Sequence, residues 1–116
     1  MNLYVSYYAK RTPLKQVSIS LYPPRGFKGP QILELAPTRD ILACKDVNVY
    51  KPLYLARIEM LGYDNFRELI RQHSNNFSED IVLCCYEGLQ KPEQFCHRTM
   101  LMEYSNFHWG TRITEL

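Results

Sequence analysis

The sequence lacks any apolar run that could cross a membrane. A spanning helix needs about 20 consecutive apolar residues, and the most apolar stretches, residues 52–61 and 81–86, are far shorter. The first residues also lack the basic stretch and apolar core of a secretory signal. We therefore expect no membrane partner and a cytoplasmic location.

An excess of one charge is missing as well. Fourteen Lys and Arg residues oppose twelve Asp and Glu residues, which gives a formal net charge of +2 at pH 7. Non-specific duplex binding usually needs a larger basic excess, so nucleic acid is an uncertain partner. The 116 residues contain no linker-like run, and one domain over residues 1–116 is expected to bury roughly 65% of its unfolded surface. Composition does not predict the oligomeric state.

Three catalytic motifs are absent. The five glycines do not form the G-x-G-x-x-G turn of a dinucleotide site. The H-x-E and P-C-x-x-C segments of a nucleobase deaminase are missing too. A tyrosine-phosphatase loop needs an Arg soon after its Cys, but the sixth residue after Cys85 is Lys91. The motifs therefore predict no cofactor.

The cysteines do not follow a familiar metal-binding pattern. They are Cys44, Cys84, Cys85 and Cys96, and they do not form two C-x-x-C pairs. Without a secretory signal, reduced thiols are the expected state. A zinc site built from Cys85, Cys96 and His97 is the less favoured alternative, because adjacent residues on a helix diverge.

The first half of the chain predicts two strands and a short helix. β-Branched and aromatic residues predict strands at residues 3–8 and 17–21. The connection between them is too short for a helical crossover, and a parallel orientation is favoured. Pro23 ends the second strand, and Thr38 can cap a helix over residues 39–45.

The second half alternates helices and strands. Residues 52–61 are apolar nearly all round, Gly62 breaks the pattern, and Asp64 can cap the next helix. Residues 81–86 predict a central strand buried on both faces, a helix begins near Phe95, and residues 111–115 predict an edge strand. This order predicts a small three-layer α/β domain with a mainly parallel sheet flanked by helices.

The stretch with the most reactive side chains runs from the central strand into the following helix. Ligands in open α/β sheets bind beyond the carboxyl ends of strands and near helix N-termini. Strand residues alternate between faces, so Cys84 and Cys85 point to opposite sides. Cys84 is interpreted as a small buried hydrophobe. Cys85 lies nearer the strand end and shares its side with Glu87, which makes both candidate catalytic residues.

Three further candidates are consecutive at the start of the helix. The positive end of a helix dipole can lower the pKa of the Cys96 thiol. His97 suits general acid–base work, although a local hydrogen bond is the commoner role. Arg98 suits phosphate or carboxylate binding, and an ion pair with Glu87 or another acid is equally expected. Arg25, in the loop after the second strand, is the other candidate anion-binding residue.

These segments together resemble the Domain of Unknown Function 488 family, particularly its short bacterial and phage members. The resemblance spans nearly the whole chain and is carried by VSISLYPPRGFKG, LAPTRDIL, and VLCCYE followed by FCHRTML. It implies a shared site at the positions that the family keeps polar or reactive: Arg25, Cys85, Glu87, Cys96, His97 and Arg98. The chain departs from the family at residues 43–46, where an aromatic residue is often found. The family has no settled activity, so the resemblance implies a fold and a site.

The favoured functional hypothesis is an enzyme acting on a nucleotide or nucleic-acid-related phosphate ligand. Its catalytic residues are Cys85, Glu87, Cys96 and His97, and its ligand-binding residues are Arg25 and Arg98. Two alternatives stay open: a non-catalytic module that senses or sequesters a small anionic metabolite, and a protein-interaction domain.

Overall fold

The described residues are organised around a sheet of four parallel strands. The computed structural model describes residues 1–86 and 95–116. Its strands are β1 (Leu3–Tyr7), β2 (Lys15–Ser18), β3 (Ile81–Cys85) and β4 (Thr114–Glu115), in the spatial order β2-β3-β1-β4. All three strand pairs are parallel. The predicted central strand is confirmed, because β3 pairs on both edges and all five of its residues are buried.

In the described part of the chain, four helices accompany the sheet. After a 3-10 turn at Leu33–Leu35, α1 (Arg39–Leu42), α2 (Val47–Leu61) and α3 (Tyr63–His73) lead from β2 to β3, and α4 (His97–His108) precedes β4. The predicted α/β class with a sheet flanked by helices is confirmed. Within residues 1–86 and 95–116, no helix is long and apolar enough to span a membrane.

The favoured parallel orientation of the first two strands is also confirmed. β3 lies between β1 and β2, so the two are not neighbours. Residues 8–14 connect them without a helix. An extended segment of this length covers about 25 Å, whereas returning past the five residues of β1 needs about 17 Å. The connection is therefore long enough to return to the end of the sheet at which β1 begins, so that β2 can run in the same direction.

The boundaries of β2 differ from the prediction of residues 17–21. The Ser18 amide donates to the Pro30 carbonyl at 2.8 Å, and the Ile32 amide donates to the Ser18 carbonyl at 2.8 Å. This later segment pairs with the outer edge of β2 where the strand ends. The predicted edge strand at residues 111–115 is present as the shorter β4.

Capping explains where the helices begin. The Thr38 hydroxyl accepts from the Ile41 amide at 3.3 Å, as predicted, but α1 ends at Leu42, before residue 45. The Asp46 carboxylate caps α2, which therefore begins before the apolar run and contains Pro52. Gly62, at φ +80°, separates α2 from α3. Asp64 lies in the first turn of α3 and is not its N-cap, because Gly62 occupies that position.

One face of the sheet forms the main apolar core. Val5, Leu83 and Cys85 belong to the same buried cluster as Ile58 of α2 and Leu101 of α4. Burying a side chain of this size contributes about 1.5–3 kcal/mol. The core therefore packs α4 against β1 and β3, and α2 against α4.

Candidate functional site

The candidate site lies where β3 ends and α4 begins. Cys85 is the last residue of β3, Cys96 is the N-cap of α4, and His97 and Arg98 are its first two residues. All four are buried, with exposed fractions from 0% to 8%. Cys96 has extended backbone angles, φ −141° and ψ 142°. It lies outside the regular helix, so its side chain and that of His97 are not separated by the rotation between helical neighbours.

The sulfur atoms of Cys85 and Cys96 are joined as a disulfide, with Cα atoms 7.2 Å apart. This differs from the expectation of reduced thiols, because the strand end and the helix N-cap bring the two sulfurs into contact. Cys44 and Cys84 are free. Burial raises the pKa of the Cys84 thiol to about 12, so Cys84 stays protonated and inert at neutral pH, as interpreted from the sequence.

Arg98 links three parts of this region. Its Nε donates to the Glu115 carboxylate at 3.1 and 3.3 Å. Its Nη1 donates to Cys85 Sγ at 3.2 Å and to the Tyr86 carbonyl at 3.2 Å. The expected ion pair is therefore present, with Glu115 as one partner. These contacts hold the guanidinium over Cys85, where it would stabilise negative charge on that sulfur once the disulfide is reduced.

The ring of His97 is positioned by a backbone carbonyl. Its Nε2 lies 2.6 Å from the Ile19 carbonyl oxygen. A carbonyl only accepts hydrogen bonds, so Nε2 carries the proton and the neutral ring keeps its lone pair on Nδ1. Burial lowers the pKa of His97 to about 4. The imidazole is therefore neutral at pH 7, with Nδ1 facing Cys96 Sγ at 3.9 Å.

A cavity of about 360 Å³ opens beside this cluster. Its described wall contains Cys96 and His97, the aromatic residues Tyr22, Tyr50, Tyr86 and Phe95, and also Ser20, Leu21, Pro37, Leu42, Cys44 and Lys45. The buried Ser20 hydroxyl lies near the Tyr8 hydroxyl without a hydrogen bond of good geometry. The cavity is mainly apolar and aromatic. Among the described residues that line it, Lys45 carries the positive charge.

The remaining predicted site residues are placed differently. Arg25 is exposed in the loop after β2 and is not part of the described cavity wall. Glu87 lies outside the described residues. The structure thus brings Cys85, Cys96, His97 and Arg98 together, and it leaves Arg25 apart from that cluster.

Sequence reasoning missed several partners in this region. Ile19 acts through its carbonyl, which no side-chain pattern signals. Glu115 is an acid in a predicted edge strand, but the pairing of that strand with β1 comes only from the fold. Lys45 was not singled out by any motif, and only the fold brings it to the cavity.

The fold and the cluster together describe a small α/β protein with a buried cysteine, histidine and arginine group at the carboxyl edge of its sheet. No family model, curated protein or solved structure matches the chain. The resemblance to the Domain of Unknown Function 488 family stays a prediction that is based on sequence motifs.

Proposed function

We propose that the protein is an enzyme that acts on a nucleotide or nucleic-acid-related phosphate ligand bound in the 360 Å³ cavity. The observation that carries the proposal is the presence of Cys96 and His97 in the wall of an aromatic cavity at the carboxyl edge of a parallel sheet. Ligand sites occur preferentially at this edge, and ligand pockets commonly measure about 300–1,000 Å³.

The aromatic wall supports a planar ring as one part of the ligand. Tyr22 and Tyr86 expose 53% and 44% of their surface, while Tyr50 and Phe95 pack edge to face at 4.9 Å between ring centroids. Stacking of a base on an aromatic side chain contributes about 1–3 kcal/mol. Aromatic rings in the cavity wall therefore favour a nucleobase over a purely aliphatic metabolite.

Cationic residues near the cavity support a phosphate as the other part. Lys45 lines the cavity, and Arg39 donates to the Tyr22 hydroxyl at 3.3 Å. In this proposal Lys45 contacts the phosphate, and Arg25, which is exposed outside the described cavity wall, is kept from the sequence analysis as a second anion-binding candidate. Arg98 is a positioning residue, because its contacts with Glu115 and Cys85 occupy its guanidinium.

The candidate reacting groups are Cys85, Cys96 and His97, with Glu87 kept from the sequence analysis. We also propose a cytoplasmic location, where the reducing environment keeps cysteines available as thiols. Neutral His97 can accept a proton at Nδ1, which faces Cys96.

Thermal unfolding with added ligands tests the binding step. Reduced protein is mixed with each nucleoside monophosphate, and with inorganic phosphate alone. A nucleotide at a hundredfold its dissociation constant is expected to stabilise the protein by about 2.7 kcal/mol. Lys45→Ala should lower this gain, whereas Lys51→Ala, an exposed lysine outside the described cavity wall, should keep it. If no nucleotide moves the melting temperature of the parent protein, the nucleotide assignment is wrong.

Chromatographic analysis of the bound nucleotide after incubation tests the catalytic step. Cys96→Ser and His97→Gln should each slow product formation by about 100-fold or more. Both variants are compared with Cys44→Ser, since Cys44 lines the same cavity outside the cluster.

A second function is a binding module for a small anionic metabolite. It is favoured by the burial of His97 and Arg98 in internal hydrogen bonds, which gives both residues a structural role. A nucleotide that stabilises the protein but is recovered unchanged would replace the enzyme hypothesis with this one.

A further inference from the structure

The sulfur and nitrogen atoms at the start of α4 form a compact ligand set. Cys85 Sγ, Cys96 Sγ and a ring nitrogen of His97 all lie within 4.8 Å of one another, and all three residues are buried. Among residues 1–86 and 95–116, this is the group of cysteine, histidine and acidic side chains close enough to hold one metal ion. The extended backbone of Cys96 removes the objection that adjacent residues diverge around a helix.

The hydrogen bond of His97 orients the ring as metal-binding histidines are oriented. Nε2 donates to the Ile19 carbonyl at 2.6 Å, which leaves the lone pair of Nδ1 beside Cys96 Sγ. Histidine ligands almost always donate their other ring N–H to a carbonyl, a carboxylate or water, and this bond fixes the tautomer. The neutral ring is the form that binds metal.

The backbone spacing of the two cysteines also fits a shared ion. Their Cα atoms are 7.2 Å apart, whereas disulfides usually have Cα separations of about 4.4–6.8 Å. Two thiolates bound to one tetrahedral zinc ion, each at about 2.3 Å, have sulfurs about 3.8 Å apart. After reduction, the two sulfurs can separate to this distance with little backbone movement.

Arg98 completes the electrostatic argument. Its Nη1 donates to Cys85 Sγ at 3.2 Å, and such a donor stabilises the thiolate over the thiol. Two thiolates balance the charge of a divalent ion, while Glu115 balances Arg98. The buried group is therefore close to neutral when an ion is bound.

We propose that, in the reduced protein, Cys85, Cys96 and His97 bind one Zn²⁺ ion at the wall of the cavity. Two thiolates and an imidazole favour zinc over magnesium or calcium, which prefer oxygen ligands. Three protein ligands with a fourth position for water or substrate are typical of catalytic zinc sites. Cys96 and His97 line the cavity, so an ion held by them would lie at its wall. This inference does not depend on the identity of the cavity ligand.

Metal titration of fully reduced protein tests the site without any nucleotide. One Zn²⁺ per chain is expected by elemental analysis, and Co²⁺ should give thiolate charge-transfer bands and the visible bands of a tetrahedral site. Zinc binding should weaken by more than about 100-fold in each of the variants Cys85→Ser, Cys96→Ser and His97→Gln. Loss of a residue that only hydrogen-bonds to a ligand weakens metal binding by up to about 100-fold, and loss of a ligand itself should cost more. Cys44→Ser and Cys84→Ser should bind zinc as the parent does.

Alkylation of the parent protein gives a second readout that does not depend on the folding of variants. Zinc should protect Cys85 and Cys96, resolved by peptide mass spectrometry, and leave the rate at Cys44 unchanged. Reduced parent protein that binds less than stoichiometric zinc, or zinc that protects neither cysteine, would overturn the inference. A nucleotide-induced shift in metal-free protein would support the proposed function even then, so the two proposals fail separately.

Discussion

The start of α4 and the end of α3 each carry a histidine and an arginine, in very different surroundings. His97 and Arg98 are buried, and the Arg98 side chain exposes 3% of its surface. Arg71 exposes 39% and pairs with Glu68 along the same helix, and His73 is half-buried. The same residue types therefore connect strands to a helix at the start of α4, whereas at the end of α3 they lie on a solvated helix surface. Burial, more than residue type, decides what these pairs contribute.

The largest expected difference is between the two arginines. Arg98→Ala leaves the Cys85 sulfur, the Tyr86 carbonyl and the Glu115 carboxylate without this donor, and breaking a buried pair costs about 3–5 kcal/mol. Because Glu115 is partly exposed, we expect the lower end of that range in urea unfolding. Arg71→Ala should have the same urea midpoint as the parent protein within experimental error, since exposed ion pairs contribute little to stability. Equal losses in the two variants would show that burial does not distinguish the regions.

The two histidines should differ in how stability depends on pH. Burial holds the pKa of His97 at about 4 in the folded protein, against about 6.5 when unfolded. Only the unfolded state gains this proton as the pH falls from about 6.5 to 4, so the stability present above pH 6.5 declines by about 3 kcal/mol across that window. Urea unfolding at stepped pH should show this extra decline in the parent protein and lose it in His97→Gln.

His73→Gln is the matched control for that experiment. Burial also lowers the pKa of His73, with a contribution from Lys15, but this ring is half-exposed. The variant should keep most of the decline between pH 6.5 and 4. If the decline in stability survives in His97→Gln and disappears in His73→Gln, then His73 causes the acid sensitivity and the prediction for His97 is wrong.

The smallest expected effect concerns the two glutamates. Glu115→Gln keeps an acceptor for Arg98 but removes the charge, and because 38% of the Glu115 side chain is exposed the loss is discounted to about 1 kcal/mol. Glu68→Gln should change the urea midpoint less than Glu115→Gln does. The reverse order would mean that the exposed pair is the more important one.

The arrangement of the site was only partly predictable from the sequence. The apolar run of β3 and the turn at Gly62 have strong local signals, so the central strand and the break between α2 and α3 were predicted correctly. The start of α2 was predicted too late, because the apolar run begins at Pro52. The helix begins earlier, since the Asp46 side chain caps it.

Long-range partners had no local signal. The disulfide between Cys85 and Cys96, the pairing of Arg98 with Glu115 and the bond from His97 to the Ile19 carbonyl each depend on how distant segments meet. Cys85, Cys96, His97 and Arg98 were identified as candidates by residue type and by position at a strand end. Their mutual geometry required the fold.

The pairing of β1 with β3 has a consequence for synthesis of the chain. Leu3 pairs with Ile81, and Lys15 pairs with the same residue from the other side. Translation proceeds at about 5–20 residues per second, so both early strands leave the ribosome several seconds before their common partner leaves it. Contacts between residues so far apart in sequence also slow folding. The sheet therefore assembles only after β3 emerges, and until then the apolar β1 and β2 segments are exposed to chaperones and to other nascent chains.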